Sequence, residues 1–201
     1  MTAFDGNMQE KKQKGTHVMA EQPMETTLRT ALWRQFGAAI DMLENALVAC
    51  PDVLWQEHLW TDPEGPEYGA FWEITYHTLS SLDLHLTGCS MEEFTPPAPF
   101  NKRSDDVISQ QPYTKDELHT YLVMLRKKCQ ITIAELSDEK KRQPFTFPWP
   151  GGATINFLEL QLCGMRHVQE HAAQLSLFLG QHGIPDKALD WVPQARDEAS
   201  L

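Results

Sequence analysis

The chain has 201 residues, 41% of them hydrophobic and 22% charged, enough for one domain around one sizeable core. Its net charge of −11 argues against a nucleic-acid-binding protein, which would normally carry a basic patch or stripe. No apolar run approaches the roughly 18 residues that a membrane helix needs.

Residues 1–23 are polar, rich in Gln and Lys and without periodicity; they read as a flexible lead with no signal-peptide core. The four cysteines, Cys50, Cys89, Cys129 and Cys163, form no C-x-x-C pair. Free thiols in a reducing cytoplasm are therefore expected.

The first predicted helix covers residues 25–49. Leu32, Phe36, Ile40, Leu43 and Leu47 recur at steps of three and four, and Pro51 ends the run because a proline disfavours helical geometry in the residue before it. A short aromatic turn, "VLWQEHLW", and the breaker cluster "TDPEGPE" lead into a second helix over 67–87, with Gly88 in the C-cap position. A long loop of Pro, Ser and Asp follows. Loops of this length tend to be functional or to wrap the surface.

Thr114 with Glu117 predicts a capping box at the start of the third helix, whose stripe is Leu118, Leu122, Leu125, Cys129, Ile133 and Leu136. The prolines and glycines of "QPFTFPWPGGATIN" forbid a continuous helix there. Phe145 and Phe147, alternating with polar neighbours, predict a short extended or hairpin element. The fourth helix is expected over 155–182, with Thr154 as N-cap and Gly183 as the stop. Residues 185–201 form a short acidic tail that Trp191 is expected to pin. The expected fold is all-α: a four-helix bundle over residues 24–184 with long inter-helix loops.

Within the fourth helix, "MRHVQEHAAQL" sets His167 and His171 one turn apart, about 40° around the helix. With Glu170 the string fits the H-x-x-E-H of inverted zinc proteases. That reading needs a carboxylate ligand well downstream and an α/β fold, and the chain supplies neither. Two imidazoles at this spacing can offer two nitrogens to one metal, but further ligands must come from elsewhere. The upstream candidates are His58, His77, His85 and His119. Periodicity favours His85, whose direction is nearer the apolar stripe of Phe71, Ile74 and Leu82. Gly164, one turn before the pair, would admit close approach of a helix or ligand. Cys163 reads as a small core residue, and Glu170 as solvated or as an outer partner of the pair.

The strings "AFWEITYHTLSSLDLHLTG" and "RHVQEHAAQLSLFL", about 90 residues apart, together with "CPDVLW", resemble the DinB-like (YfiT-like) superfamily of metalloenzymes over residues 25–183. The resemblance implies three histidine ligands, one in the middle of the second helix and a pair four apart on the fourth. Carried over, these are His77, His167 and His171, with His85 falling where the family often has an aromatic residue. It further implies a divalent metal completed by water. Zinc, nickel and iron all suit an all-imidazole site. By the same resemblance the expected activity is that of a thiol S-transferase or a hydrolase, with a low-molecular-weight thiol as candidate substrate and a homodimer as candidate assembly. The competing reading is a non-catalytic bundle used in a stress response or as an interaction module.

Overall fold

A computed structural model describes residues 24–61, 63, 68–101, 112–149, 151–185 and 188–196; the expected flexible lead lies outside them. Four long helices make up the body: α1 (Met24–Ala49), α2 (Phe71–Thr87), α3 (Lys115–Ala134) and α5 (Phe157–Gln181). A short helix α4 (Asp138–Arg142) and a two-stranded hairpin, β1 (Pro144–Thr146) and β2 (Thr154–Asn156), stand between α3 and α5. The expected all-α bundle is the fold of this chain. Among the described residues no helix is long and apolar enough to cross a membrane.

Each of α1 and α2 packs against both α3 and α5, so the first two helices occupy opposite corners of the bundle. The stripes read from the sequence are the buried ones. Leu32, Phe36, Ile40, Leu43 and Leu47 of α1 meet Leu118, Leu122, Leu125, Cys129 and Ile133 of α3 and Leu160, Val168, Ala172 and Leu175 of α5 in one core. Helix α2 is buried on most of its circumference, because loop aromatics such as Trp55, Phe100 and Tyr113 cover its outer side. Before its last residue, only a narrow stripe of Glu73, His77, Ser80 and Ser81 stays partly open or exposed, as the apolar residues around the rest of the helix require.

The helix ends follow local chemistry. The Thr114–Glu117 capping box forms as expected, with both reciprocal bonds present. Helix α2 starts at Phe71 rather than at residue 67. Gly69 has φ +95° and Ala70 bridges His58, which holds the chain extended up to the helix. Helix α5 starts at Phe157 because β2 takes residues Thr154–Asn156. Its cap is therefore Asn156, whose side chain accepts from Glu159 N, and not Thr154. Helix α3 stops at Ala134, although Leu136 remains buried as the stripe predicted, and Ser137 caps the unforeseen α4. The tail is held along α1 by Val192 and Ala195 and by the bond from Ala195 N to Arg34 O. Trp191, expected to pin it, is 73% exposed.

Gly88 closes α2 in the left-handed region at φ +70°, and a Cβ there would stand 2.5 Å from the fully packed Phe157 ring. Both the backbone cost of a left-handed alanine and the overpacking penalty apply. Gly88→Ala is expected to lower stability by about 2–4 kcal/mol, measured by urea unfolding.

Candidate metal centre

Helices α2 and α5 run antiparallel. Phe71 lies beside Phe178, His77 beside His171 and His167, and His85 beside His167. This brings one imidazole of α2 against two of α5. The Nε2 atom of His167 lies 3.2 Å from Nε2 of His77 and 3.0 Å from Nε2 of His171. The ring planes stand at 69° to 89° to one another, so the rings radiate from a common point. Among the described residues these three are the one group of three or more His, Cys, Asp or Glu side chains whose ligand atoms all lie within 4.8 Å of each other.

The hydrogen-bond chemistry of the triad is incomplete by itself. A neutral imidazole nitrogen offers either one proton or one lone pair. His171 Nδ1 is bonded to Gln174 Oε1 at 2.8 Å, so its proton is there and its Nε2 presents a lone pair. His167 has one in-plane site to serve two neighbours. At least one of the two Nε2 contacts is therefore left without a proton suitably placed between its nitrogens. A cation among the three nitrogens resolves this. Bonds of about 2.0–2.1 Å to one ion place imidazole nitrogens about 3.0–3.4 Å apart, which both separations from His167 match. The donor set fits a borderline divalent ion such as zinc, nickel or iron.

Burial keeps the His77 and His167 rings neutral and so available as ligands. For His77, protein around the ring and then the His171 imidazole lower the pKa to about 4, although one side of the residue is open to solvent. For His167, burial and then His171, His77 and His85 lower it to about 3. His85 is brought to about 4, chiefly by burial and secondarily by His77. All three folded-state values lie below the free value of 6.5, so the unfolded chain takes up protons first. The stability of the ion-free protein should be complete above about pH 6.5 and should fall as the pH drops toward 4. Glu73, whose carboxyl burial raises against the Gly69 N–H and His58, opposes that trend. Urea midpoints at pH 7.5, 6 and 5 measure the balance, and a midpoint that rises on acidification would contradict the assignment.

The other sequence candidates fall elsewhere. His85, favoured by periodicity as third ligand, is buried beside His167 but outside the converging group. His58 is exposed and His119 is paired with Glu44 at 3.0 Å. Glu170 is exposed in the groove between α1 and α5, near Gln35 and Ala39, whereas the imidazoles face α2. Cys163 is half-buried and not a member of the group. Two residues escaped the sequence reading. Gln174 is readable afterwards from its i+3 position after His171. Glu73, one turn before His77, has its carboxylate on Gly69 N at 3.1 Å.

A helical bundle presenting three convergent imidazoles near its surface defines a class of candidate metalloproteins. The sequence profile of the DinB superfamily matches residues 35–175, and the chain belongs to that superfamily. No significant match exists among curated proteins.

Proposed function

We propose that the protein is a divalent-metal-dependent enzyme whose ion is held by His77, His167 and His171 through their Nε2 atoms. The observation that carries this reading is the convergence of three imidazoles with no fourth His, Cys, Asp or Glu joining the group among the described residues. Structural zinc sites are closed by four protein ligands, whereas catalytic sites keep a position open. A divalent ion there supplies Lewis-acid polarisation and lowers the pKa of a thiol or water.

The protein's own groups have distinct tasks in this reading. His77 stands at the exposed side of the triad, so a small substrate approaches past α2. Gln174 fixes the His171 tautomer and ring orientation by accepting its Nδ1 proton. The apolar core under α2 and α5 shields the inner side of the site from water. Transfer of a low-molecular-weight thiol to an electrophile is the favoured reaction, with hydrolysis as its nearest variant. A soft thiolate suits the ions that imidazole ligation selects.

Zinc-, nickel- and iron-reconstituted protein assayed with glutathione-type thiols and chlorinated or epoxide electrophiles tests this. Metal-dependent thiol consumption that His77→Ala abolishes is expected. Stoichiometric metal with no turnover of any thiol or ester substrate would favour the non-catalytic bundle.

A further inference from the structure

Among the described residues three buried side-chain polar atoms have no hydrogen-bond partner: His85 Nδ1, Gln161 Oε1 and His167 Nδ1. They are not scattered. Gln161, Gly164 and His167 follow one another at steps of three along α5, and His85 of α2 lies against the middle position. Its Nδ1 stands 3.1 Å from where a Cβ on Gly164 would be, so the glycine gives the ring room that a larger residue would crowd. His85 is 8% exposed and Gln161 fully buried. The edges of Phe145 and Phe147 close the His85 ring from the hairpin, with centroids 6.3 and 6.1 Å away.

Two further contacts orient this group. The Gln161 amide nitrogen donates to His85 O at 2.9 Å, a carbonyl in the last turn of α2, which turns its oxygen away as a free acceptor. The His85 and His167 rings meet edge-on at 6.2 Å between centroids, too far for a direct bond between the two Nδ1 atoms. One bridging molecule of water is the size of link that suits such a span, and a buried water typically makes about three hydrogen bonds.

The proton arithmetic gives this arrangement a role. A histidine that holds an ion through Nε2 is neutral and carries its remaining proton on Nδ1, where an outer partner normally accepts it. His171 has Gln174 for this. His167 has no such partner on its own helix. We infer that His85 is the positioning residue for His167, its Nδ1 lone pair accepting, through one bridging water that Gln161 Oε1 also holds, the Nδ1 proton of His167. This rests on the metal-site reading above, and it assigns His85 a place behind the ligand rather than on the ion.

The test uses the full chain loaded with Zn²⁺ or Co²⁺. Zinc affinity is measured by chelator competition for wild type, His85→Phe, His85→Gln and Gln161→Leu, with thermal melting to confirm folding. His85→Phe keeps an apolar ring in the Phe145–Phe147 slot and should weaken zinc binding about 10–100-fold, with one ion still bound at saturation. His85→Gln restores an acceptor and should recover most of the loss, and the Co²⁺ absorption bands should shift in His85→Phe. Gln161→Leu should weaken zinc less than His85→Phe does. In wild type loaded with zinc, ¹⁵N NMR should find the His85 proton on Nε2 and the His167 proton on Nδ1, a readout that needs no variant. A His85 proton on Nδ1, or unchanged affinity and bands in a folded His85→Phe, overturns the inference and leaves the metal site standing. Loss of the ion altogether in His85→Phe makes His85 a ligand and also overturns it. Wild type that takes up no ion overturns both.

Discussion

His167→Ala should abolish tight uptake of a divalent ion, with affinity falling by about 10²–10³-fold. Structural zinc sites are worth about 10–16 kcal/mol for four ligands, so each ligand carries about a quarter of that, and 1.4 kcal/mol is tenfold. His167 is the hub: both close Nε2 contacts are its own, so its removal takes away the nitrogen that the other two meet. His77→Ala should follow it closely. His85→Ala should still bind one ion at excess zinc, and Glu170→Gln, on the groove facing α1, should bind as wild type does. Metal content after reconstitution and dialysis is the first readout. The second is thermal: an ion that binds only the folded state at a thousand times its Kd adds about 4.1 kcal/mol, and this zinc-dependent rise in Tm should vanish in His167→Ala. Retention of wild-type affinity in His77→Ala together with complete loss in His85→Ala would transfer the third ligand to His85.

The difficulty of choosing between His77 and His85 shows where sequence reading succeeded and where it stopped. Helical periodicity reports which side chains face the core, and it did so correctly: His85 is buried and His77 is at the surface. The proposed site, open to substrate, would draw its third ligand from the rim of the core, so the rule that finds buried residues points away from it. The pair on α5 was legible because both members lie on one helix and the spacing alone fixes their geometry. The third member depends on the antiparallel register of α2 on α5, which no local pattern encodes, and only the superfamily resemblance pointed to His77. Gly164 was legible as a point of close approach, and the approaching group is His85 itself. The same division holds for the fold. The stripes and the Thr114 cap are properties of single helices and were readable. The start of α5 was displaced because pairing of Thr154–Asn156 with Pro144–Thr146 outcompeted two residues of helix, a choice made by a partner ten residues away.

The largest effect on stability is expected away from the metal centre, at Asp41. This carboxylate lies in the core-facing run of α1 and is 1% exposed. It accepts from Arg126 of α3, at 2.7 Å to Nε and 3.4 Å to Nη2, and from the backbone N of Arg196 in the tail at 2.6 Å. One side chain thus ties α1 to both α3 and the C-terminal segment. Arg126 is itself mostly buried, stacked over Trp33 at 5.2 Å. Asp41→Ala should therefore cost about 3–5 kcal/mol, because a buried guanidinium loses its counter-charge. For a chain of this size that is a Tm lower by roughly 10 °C. The pair as such is worth much less, since desolvating both ions offsets most of their attraction. Asp41→Leu combined with Arg126→Met should accordingly recover most of the loss, the methionine retaining a contact with the Trp33 ring. A double variant as unstable as Asp41→Ala would mean that the two bonds to Arg196, from its N to Asp41 and from Arg126 Nη2 to its O, which neither replacement restores, dominate. In that case deletion of residues 188–201 should be as damaging as Asp41→Ala, and the tail would be an integral wall of the bundle.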